Sequence, residues 1–227
     1  MTCTPPQLGT ATPTRIMLAD DHTLLRVSLG SILGETEGFE LIGSLPTGHD
    51  AVAAARELRP DVLVIDIDMP GQDAFQSARA VLEVSPGTRV LFLTAFTSDH
   101  DVQNALRAGA RGYVVKSEPP STVVDAIRTV ASGRLWFSPD LEARIEFRDD
   151  GPHLRGHDDG LFADLTPREF ETLRYLARGM AKREIASIMG VSVKTIEKHT
   201  TNLMAKLDVH DRVQLARLAI SEGLARA

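Results

Sequence analysis

Two runs, Val62-Leu-Val-Ile65 and Val90-Leu-Phe-Leu93, constrain the fold more than any other feature of the chain. Each is apolar and bulky throughout, and each gives way at once to a polar residue, Asp66 and Thr94 respectively. A strand with one wet face alternates apolar and polar residues. A run without alternation belongs to a strand covered on both faces, as in a parallel sheet flanked by helices. Shorter runs of similar character occur at Arg15-Ile-Met-Leu-Ala19, Phe39-Glu-Leu-Ile-Gly43 and Gly112-Tyr-Val-Val115. Helix-like stretches lie between them at about 22–34, 48–58, 74–84 and 99–108. A last one, about 121–132, carries Val123, Val124, Ile127 and Val130 at three- and four-residue steps. This alternation predicts a doubly wound α/β domain with a five-stranded parallel sheet.

The pattern changes after residue 137. Residues 138–164 contain Asp149-Asp-Gly-Pro-His-Leu-Arg-Gly-His-Asp-Asp-Gly160, rich in charge and turn formers and poor in apolar periodicity. This reads as a mobile linker, with His153 and His157 as solvated residues rather than a metal site. From Leu165 onward every segment reads as helix. Thr166-Pro-Arg-Glu169 has the form of a helix start, with Thr as cap, Pro at the first position and Glu three residues on. Phe170, Leu173, Leu176 and Ala177 supply its buried stripe. A short helix, about 182–189, stops at Gly190, Ser192 caps a longer one at about 193–207, and a fourth spans about 211–222. A short helix, a glycine turn and a longer helix make a helix-turn-helix within a small all-α four-helix unit. The expected division is 14–134, a linker 135–162, and 163–227.

Charge divides the chain in the same places. The protein is acidic as a whole, with net charge −6, but residues 165–227 carry 11 basic and 7 acidic side chains. Contact with nucleic acid is therefore expected at the C-terminal end, if anywhere. The single cysteine, Cys3, has no internal partner, which suits a reducing compartment. Neither a spanning apolar run nor a basic-then-apolar leader is evident, so a cytoplasmic protein with no membrane role is expected.

In open parallel α/β sheets, chemistry gathers where strand C-termini open into loops. Those ends carry, in order, Asp20 and Asp21, Asp66, Thr94 and Lys116. Taken singly, each has an ordinary alternative: Asp21 as a helix cap near His22, Asp66 as a turn residue before Met69-Pro-Gly71, Lys116 as a solvated surface residue. Together they place clustered carboxylates, a hydroxyl and an ammonium on one edge. Such carboxylates suit a hard dication, Mg²⁺ above all. A dication and a lysine would offset the charge of a phosphoryl group approaching a carboxylate, and the threonine could bond to it on arrival. The set has what is needed to form and hold an aspartyl phosphate.

The stretches Leu18-Ala-Asp-Asp-His22, Pro60-Asp-Val-Leu-Val-Ile-Asp-Ile-Asp-Met-Pro-Gly71, Leu91-Phe-Leu-Thr-Ala95 and Gly109-Ala-Arg-Gly-Tyr-Val-Val-Lys116 resemble receiver domains. The resemblance spans about 14–134. It implies a flavodoxin-like fold with Asp66 as phosphoacceptor. It further implies Mg²⁺ held by Asp20, Asp21, Asp66 and the backbone carbonyl of Asp68, with Lys116 paired to the phosphoryl group. Thr94 and Tyr113 would form a switch pair, Thr94 moving toward the phosphate and Tyr113 turning inward behind it. Taken without the resemblance, Tyr113 is a packed strand aromatic. One departure is Asp73-Ala74, where the pattern usually has Gly after the Asp.

In the C-terminal part, Val193, Ile196, Thr200, Leu203 and Leu207 should face a core. The opposite face offers Lys194, Thr195, Glu197, Lys198, Thr201 and Lys206 as DNA-binding candidates. Leu165-Thr-Pro-Arg-Glu169, Ala181-Lys-Arg-Glu-Ile-Ala186 and Val191-Ser-Val-Lys-Thr-Ile-Glu-Lys-His199 resemble the LuxR-type helix-turn-helix. With the receiver in front, the whole is similar to the NarL/FixJ family of response regulators. The resemblance implies that Lys198 and Thr201 face bases, with Lys194 and Lys206 nearer the backbone. It also implies a homodimer on paired DNA half-sites, joined through the last helix at residues such as Val213, Leu215, Ala216 and Leu218. The implied partners are a sensor histidine kinase, double-stranded DNA and, further downstream, RNA polymerase. Two alternatives stand beside a phosphorylation-controlled transcription factor. One is a Mg²⁺-dependent phosphatase using Asp66-Ile-Asp68 as nucleophile and general acid. The other is a regulator that binds DNA independently of phosphorylation.

Overall fold

The computed structural model describes residues 12–69, 73–95, 98–148, 151–155, 161–162, 164–222 and 224. Cys3, Pro70, Gly71 and His157 lie outside them. The first unit runs β1 (Thr14–Ala19), α1 (Thr23–Glu35), β2 (Phe39–Leu45), α2 (Gly48–Leu58), β3 (Val62–Asp66), α3 (Ala74–Val84), β4 (Arg89–Thr94), α4 (Asp99–Arg107), β5 (Ala110–Val115) and α5 (Pro120–Ala131). All its strand pairs are parallel, in the order β2-β1-β3-β4-β5. The predicted doubly wound sheet is what forms.

Pleating explains both faces. Along β1, Ile16 and Leu18 enter one core with Leu29 and Leu33 of α1 and Val123, Ile127 and Val130 of α5. Met17 and Ala19 enter the other, with Ala51, Ala55, Ala78, Val81, Val102 and Ala105 of α2, α3 and α4. Every residue of β3 is buried, as its unbroken apolar run requires. Asp73 caps α3, accepting from the backbone N–H groups of Phe75 and Gln76 at 2.9 and 3.0 Å. The Asp73-Ala74 departure therefore leaves a sound helix start.

The stretch expected as a mobile linker is ordered where described. Trp136 pairs with the free edge of β5, its carbonyl accepting from Tyr113 N at 3.0 Å and its N–H donating to Arg111 O at 2.9 Å. A short helix α6 (Pro139–Glu142) leads into an antiparallel hairpin, β6 (Ile145–Arg148) and β7 (Gly151–Leu154). The hairpin rests on α4. Leu154 is fully buried in the receiver core, and its N–H donates to Gln103 Oε1 at 2.8 Å. Gln103 Nε2 lies 3.3 Å from His153 Nδ1, and Arg144 forks onto Asp99 with both terminal nitrogens. These contacts are non-local, so local charge and turn residues concealed them.

The second unit contains α7 (Pro167–Ala177), α8 (Lys182–Ile188), α9 (Val193–Lys206) and α10 (Arg212–Ser221). Thr166 and Glu169 form the expected capping box. Gly190 adopts φ +64, the left-handed conformation that ends α8 and opens the turn into α9. Phe170, Leu173, Leu176, Ile185, Ile196, Leu203, Leu215 and Ala219 form a separate core.

Candidate functional site

The sheet order reverses beside β1 and β3, and the polar groups collect at that crevice. Asp20 follows β1, Asp66 ends β3, Thr94 ends β4 and Lys116 follows β5. Asp20, Asp66 and Thr94 are completely buried. Lys116 Nζ lies 2.7 Å from Asp20 Oδ2 and 2.8 Å from Asp66 Oδ2. Lys116 is therefore no solvated surface residue, and Asp66 is no simple turn residue. Asp21 does not cap α1 either: His22 N donates to Asp20 Oδ1 at 2.7 Å, and Asp21 Oδ1 lies 2.9 Å from His22 Nδ1.

Ligand atoms of Asp20, Asp21, His22 and Asp66 all lie within 4.8 Å of one another. Asp20 Oδ2, Asp21 Oδ1 and Asp66 Oδ2 are buried, the first and third beside Lys116 Nζ and the second beside His22 Nδ1. Lys116 thus offsets their charge while leaving lone pairs unused, an arrangement matched to a hard cation. Burial raises the Asp66 carboxyl to about 6. Lys116 opposes that rise, whereas the carboxylates of Asp20 and Asp21 add to it.

The Tyr113 ring is already buried against the sheet, and its hydroxyl is hydrogen-bonded to Thr94. Burial, then the charge of Asp101, pushes the phenol well above its usual range, against the Thr94 bond. The predicted switch pair is therefore one contact, with the ring turned inward.

In the receiver reading Asp68 had a role through its carbonyl, and its side chain entered only as the general acid of the phosphatase alternative. Its side chain is nearly as buried as that of Asp66. Asp68 N donates to Asp66 Oδ1 at 3.0 Å, and Asp68 Oδ2 accepts from Ala95 N at 3.2 Å. Asp68 Oδ1 accepts from Arg174 and, at 2.6 Å, from Arg178, both of the C-terminal unit. A carboxylate held by two guanidiniums is poorly suited to the general-acid role of the phosphatase alternative. Arg174 also faces Asp101 of α4, whose Oδ1 is 3.9 Å from its Nη1. Beside these charges, His100 of α4 stacks on Phe170 with ring centres 3.9 Å apart, and Phe162 meets both rings. Only the one-turn spacing of Arg174 and Arg178 hinted at a shared partner.

On α9, Ile196, Thr200 and Leu203 are buried and Leu207 follows them, but Val193 is exposed rather than in the core. Lys194, Glu197, Lys198 and Thr201 point to solvent, and Thr195 is half-buried with its hydroxyl 2.8 Å from that of Ser192. Lys206 is engaged internally, donating to Glu169 Oε2 at 2.7 Å and Asp164 O at 2.8 Å. On α10, Leu215 lies inside the unit's own core, so it cannot serve a partner chain; Val213 and Ile220 are the exposed apolar residues there.

Residues 16–128 match the response regulator receiver domain, and residues 163–219 match the luxR family of bacterial regulatory proteins. The chain is 31% identical over 210 residues to the response regulator protein VraR of Staphylococcus aureus, covering 92% of this chain and 98% of that one. VraR of Staphylococcus epidermidis shows the same identity and coverage. Among solved structures, RcsB of Salmonella typhimurium superimposes with TM-score 0.67 at 22% identity, covering 94% of this chain and all of that one. RcsB of Salmonella enterica serovar Typhimurium, bound to promoter DNA in the presence of the phosphomimetic BeF3-, gives 0.64 at 22% identity over 92% and 98%. The chain belongs to the NarL/FixJ-type response regulators, in which a receiver domain is joined to a LuxR-type DNA-binding domain, a family of transcription regulators rather than classical enzymes.

Proposed function

We propose that this regulator is phosphorylated on Asp66 by a sensor histidine kinase and that the phosphoryl group controls dimerisation and DNA binding. The convergence of Asp20, Asp66, Thr94 and Lys116 at one sheet edge carries the reading. Asp20, Asp21 and Asp66, with the carbonyl of Asp68, would hold Mg²⁺, which when bound offsets charge on the transferring phosphoryl oxygens. The residues do the rest. Lys116 keeps Asp66 ionised against burial, so its carboxylate is available as nucleophile. As the new P–O bond forms, the donor's P–N bond breaks and its electron pair leaves with the imidazole. Lys116 then pairs with the phosphoryl oxygens, and Thr94 bonds to them as its contact with Tyr113 rearranges.

The receiver unit would span 14–134, the connector 135–162 and the DNA-binding unit 163–227. Lys198 and Thr201 would meet base edges and Lys194 the backbone, with Thr195 and Glu197 beside them. Lys206, tied to α7, would steady the recognition helix more than it contacts phosphate. Two copies joined near Val213 and Ile220 would read paired half-sites and work with RNA polymerase in the cytoplasm. No helix among the described residues is long and apolar enough to cross a membrane.

The test is incorporation of radiolabelled phosphate from acetyl phosphate and Mg²⁺, paired with selection of genomic DNA fragments. Wild type should take up label and enrich specific fragments in the presence of donor. Asp66→Asn should fold, take up none and lose the donor-dependent enrichment. Undiminished label in that variant would overturn the assignment.

A further inference from the structure

Asp68 stands between the phosphoacceptor and the DNA-binding unit. Its backbone N–H is bonded to Asp66, one carboxylate oxygen to Ala95 N just after β4, and the other to Arg174 of α7 and Arg178 at its C-terminal cap. Arg174 and Asp68 are almost entirely shielded from water. A charge pair removed from water is strong while intact and costly when one partner is lost. The rings of His100, Phe162 and Phe170 meet on one side. A cavity of about 950 Å³, lined in part by Asp68, His100, Phe170, Arg174 and Arg178, leaves much of the junction unpacked. Arg174 also faces Asp101 of α4 at 3.9 Å, so the charged part of the junction centres on Asp68 with Asp101 beside it.

Building on the phosphoacceptor reading, we propose that Asp68 with Arg174 and Arg178 is a latch that phosphorylation of Asp66 opens. A phosphoryl group there places a dianion on the carboxylate to which Asp68 N–H is bonded, two residues from the Asp68 side chain. The Asp68 carboxylate is repelled, and the guanidiniums lose a fixed anchor. The latch leaves the outward face of α9 uncovered, since Lys194, Glu197, Lys198 and Thr201 are exposed while docked. Opening it thus frees the DNA-binding unit to reorient rather than unmasking its recognition helix.

Fluorescence transfer between labels at Glu83→Cys on α3 and Glu222→Cys after α10, in a Cys3→Ser background with excess unlabelled protein, reads the docking in the full chain. Phosphate incorporation is measured in the same samples with acetyl phosphate and Mg²⁺. Wild type should show high transfer without donor and a shift toward the undocked form of about 10-fold with it, an ordinary size for coupling between sites. Asp68→Asn and Arg178→Gln should show low transfer in both conditions while keeping wild-type circular dichroism. Label incorporated at Asp66 with no fall in transfer, or Asp68→Asn remaining docked, overturns the latch. Absence of incorporated label counts against the phosphoacceptor reading instead, and the Asp68→Asn arm then decides the latch by itself.

Discussion

Gln103 and Leu154 are fifty-one residues apart, yet the side chain of one satisfies the buried backbone N–H of the other at 2.8 Å. That bond fixes β7 on α4, and the fully buried Leu154 side chain seals it. Gln103→Ala leaves a buried donor without its acceptor and should cost about 1–3 kcal/mol. Leu154→Ala should cost about 2–5 kcal/mol through the cavity it opens. Urea melts give both values, and hydrogen exchange should quicken through 145–154 in each variant. Unchanged exchange there in Gln103→Ala would show that this bond does not hold the hairpin.

Glu169 makes the C-terminal unit acid-sensitive. Burial would raise its carboxyl, but bonds from Lys206 and Thr166 outweigh that and bring it down from 4.5 to about 2. A group depressed by folding stabilises fully above its unfolded value and loses that contribution as pH falls through its folded value. Glu169→Gln should therefore cost about 1–3 kcal/mol at pH 7, with the gap from wild type closing between pH 4.5 and 2. Thermal melts across that range measure the convergence.

Asp101 has the opposite sign. Burial raises it from 3.8 to about 7, although Ser98 and Arg178 pull the other way. Its contribution is thus most favourable below 3.8 and declines as pH rises toward 7. Asp101→Asn should match wild type in stability near pH 4 and exceed it by about 1–3 kcal/mol at pH 8. Equal stability of the two proteins at pH 8 would show that the ionised form carries no such cost.

Gly112 is a packing position. A Cβ there would lie 2.4 Å from Leu91 Cδ1, 3.1 Å from Val130 Cγ2 and 3.3 Å from the Trp136 carbonyl oxygen. The leucine tip can swing aside, but the backbone of Trp136 is bonded to β5 and cannot easily follow. Gly112→Ala should destabilise by about 1–3 kcal/mol in urea melts, with partial rescue by Leu91→Val.

Two exposed lysines of α9 should separate in salt titrations of DNA binding. Lys194→Ala should weaken all sequences alike and lower the slope of log affinity against log salt by about 1. Lys198→Ala should relax sequence preference, costing about 1–3 kcal/mol on the preferred site. Identical behaviour of the two variants would remove the distinction between backbone and base contact.

Much of this molecule could be read from the chain because its decisive signals are local. Val62–Ile65 is apolar without a break since both its neighbours in space are apolar, and Asp66 follows because the strand ends at the crevice. Thr166 and Glu169 announce a helix start within one turn. The hairpin and the junction were hidden for the converse reason. Leu154 is a lone leucine among charged and turn residues, and only the contour of α4 makes it a core residue. Arg174 and Arg178 look like any solvated helix face until Asp68 is brought against them from 106 and 110 residues away. Val193 was assigned inward by spacing, but it sits at the first turn of α9 and stays 37% exposed.

The grip on the receiver belongs to α7, while the residues turned outward for DNA belong to α9. A lineage could therefore rewrite positions 194, 197, 198 and 201 to adopt new operators without disturbing how the protein answers its signal. It could equally retune the response at 174 and 178 while keeping its set of promoters. Address and sensitivity are stored on different helices and are free to drift apart.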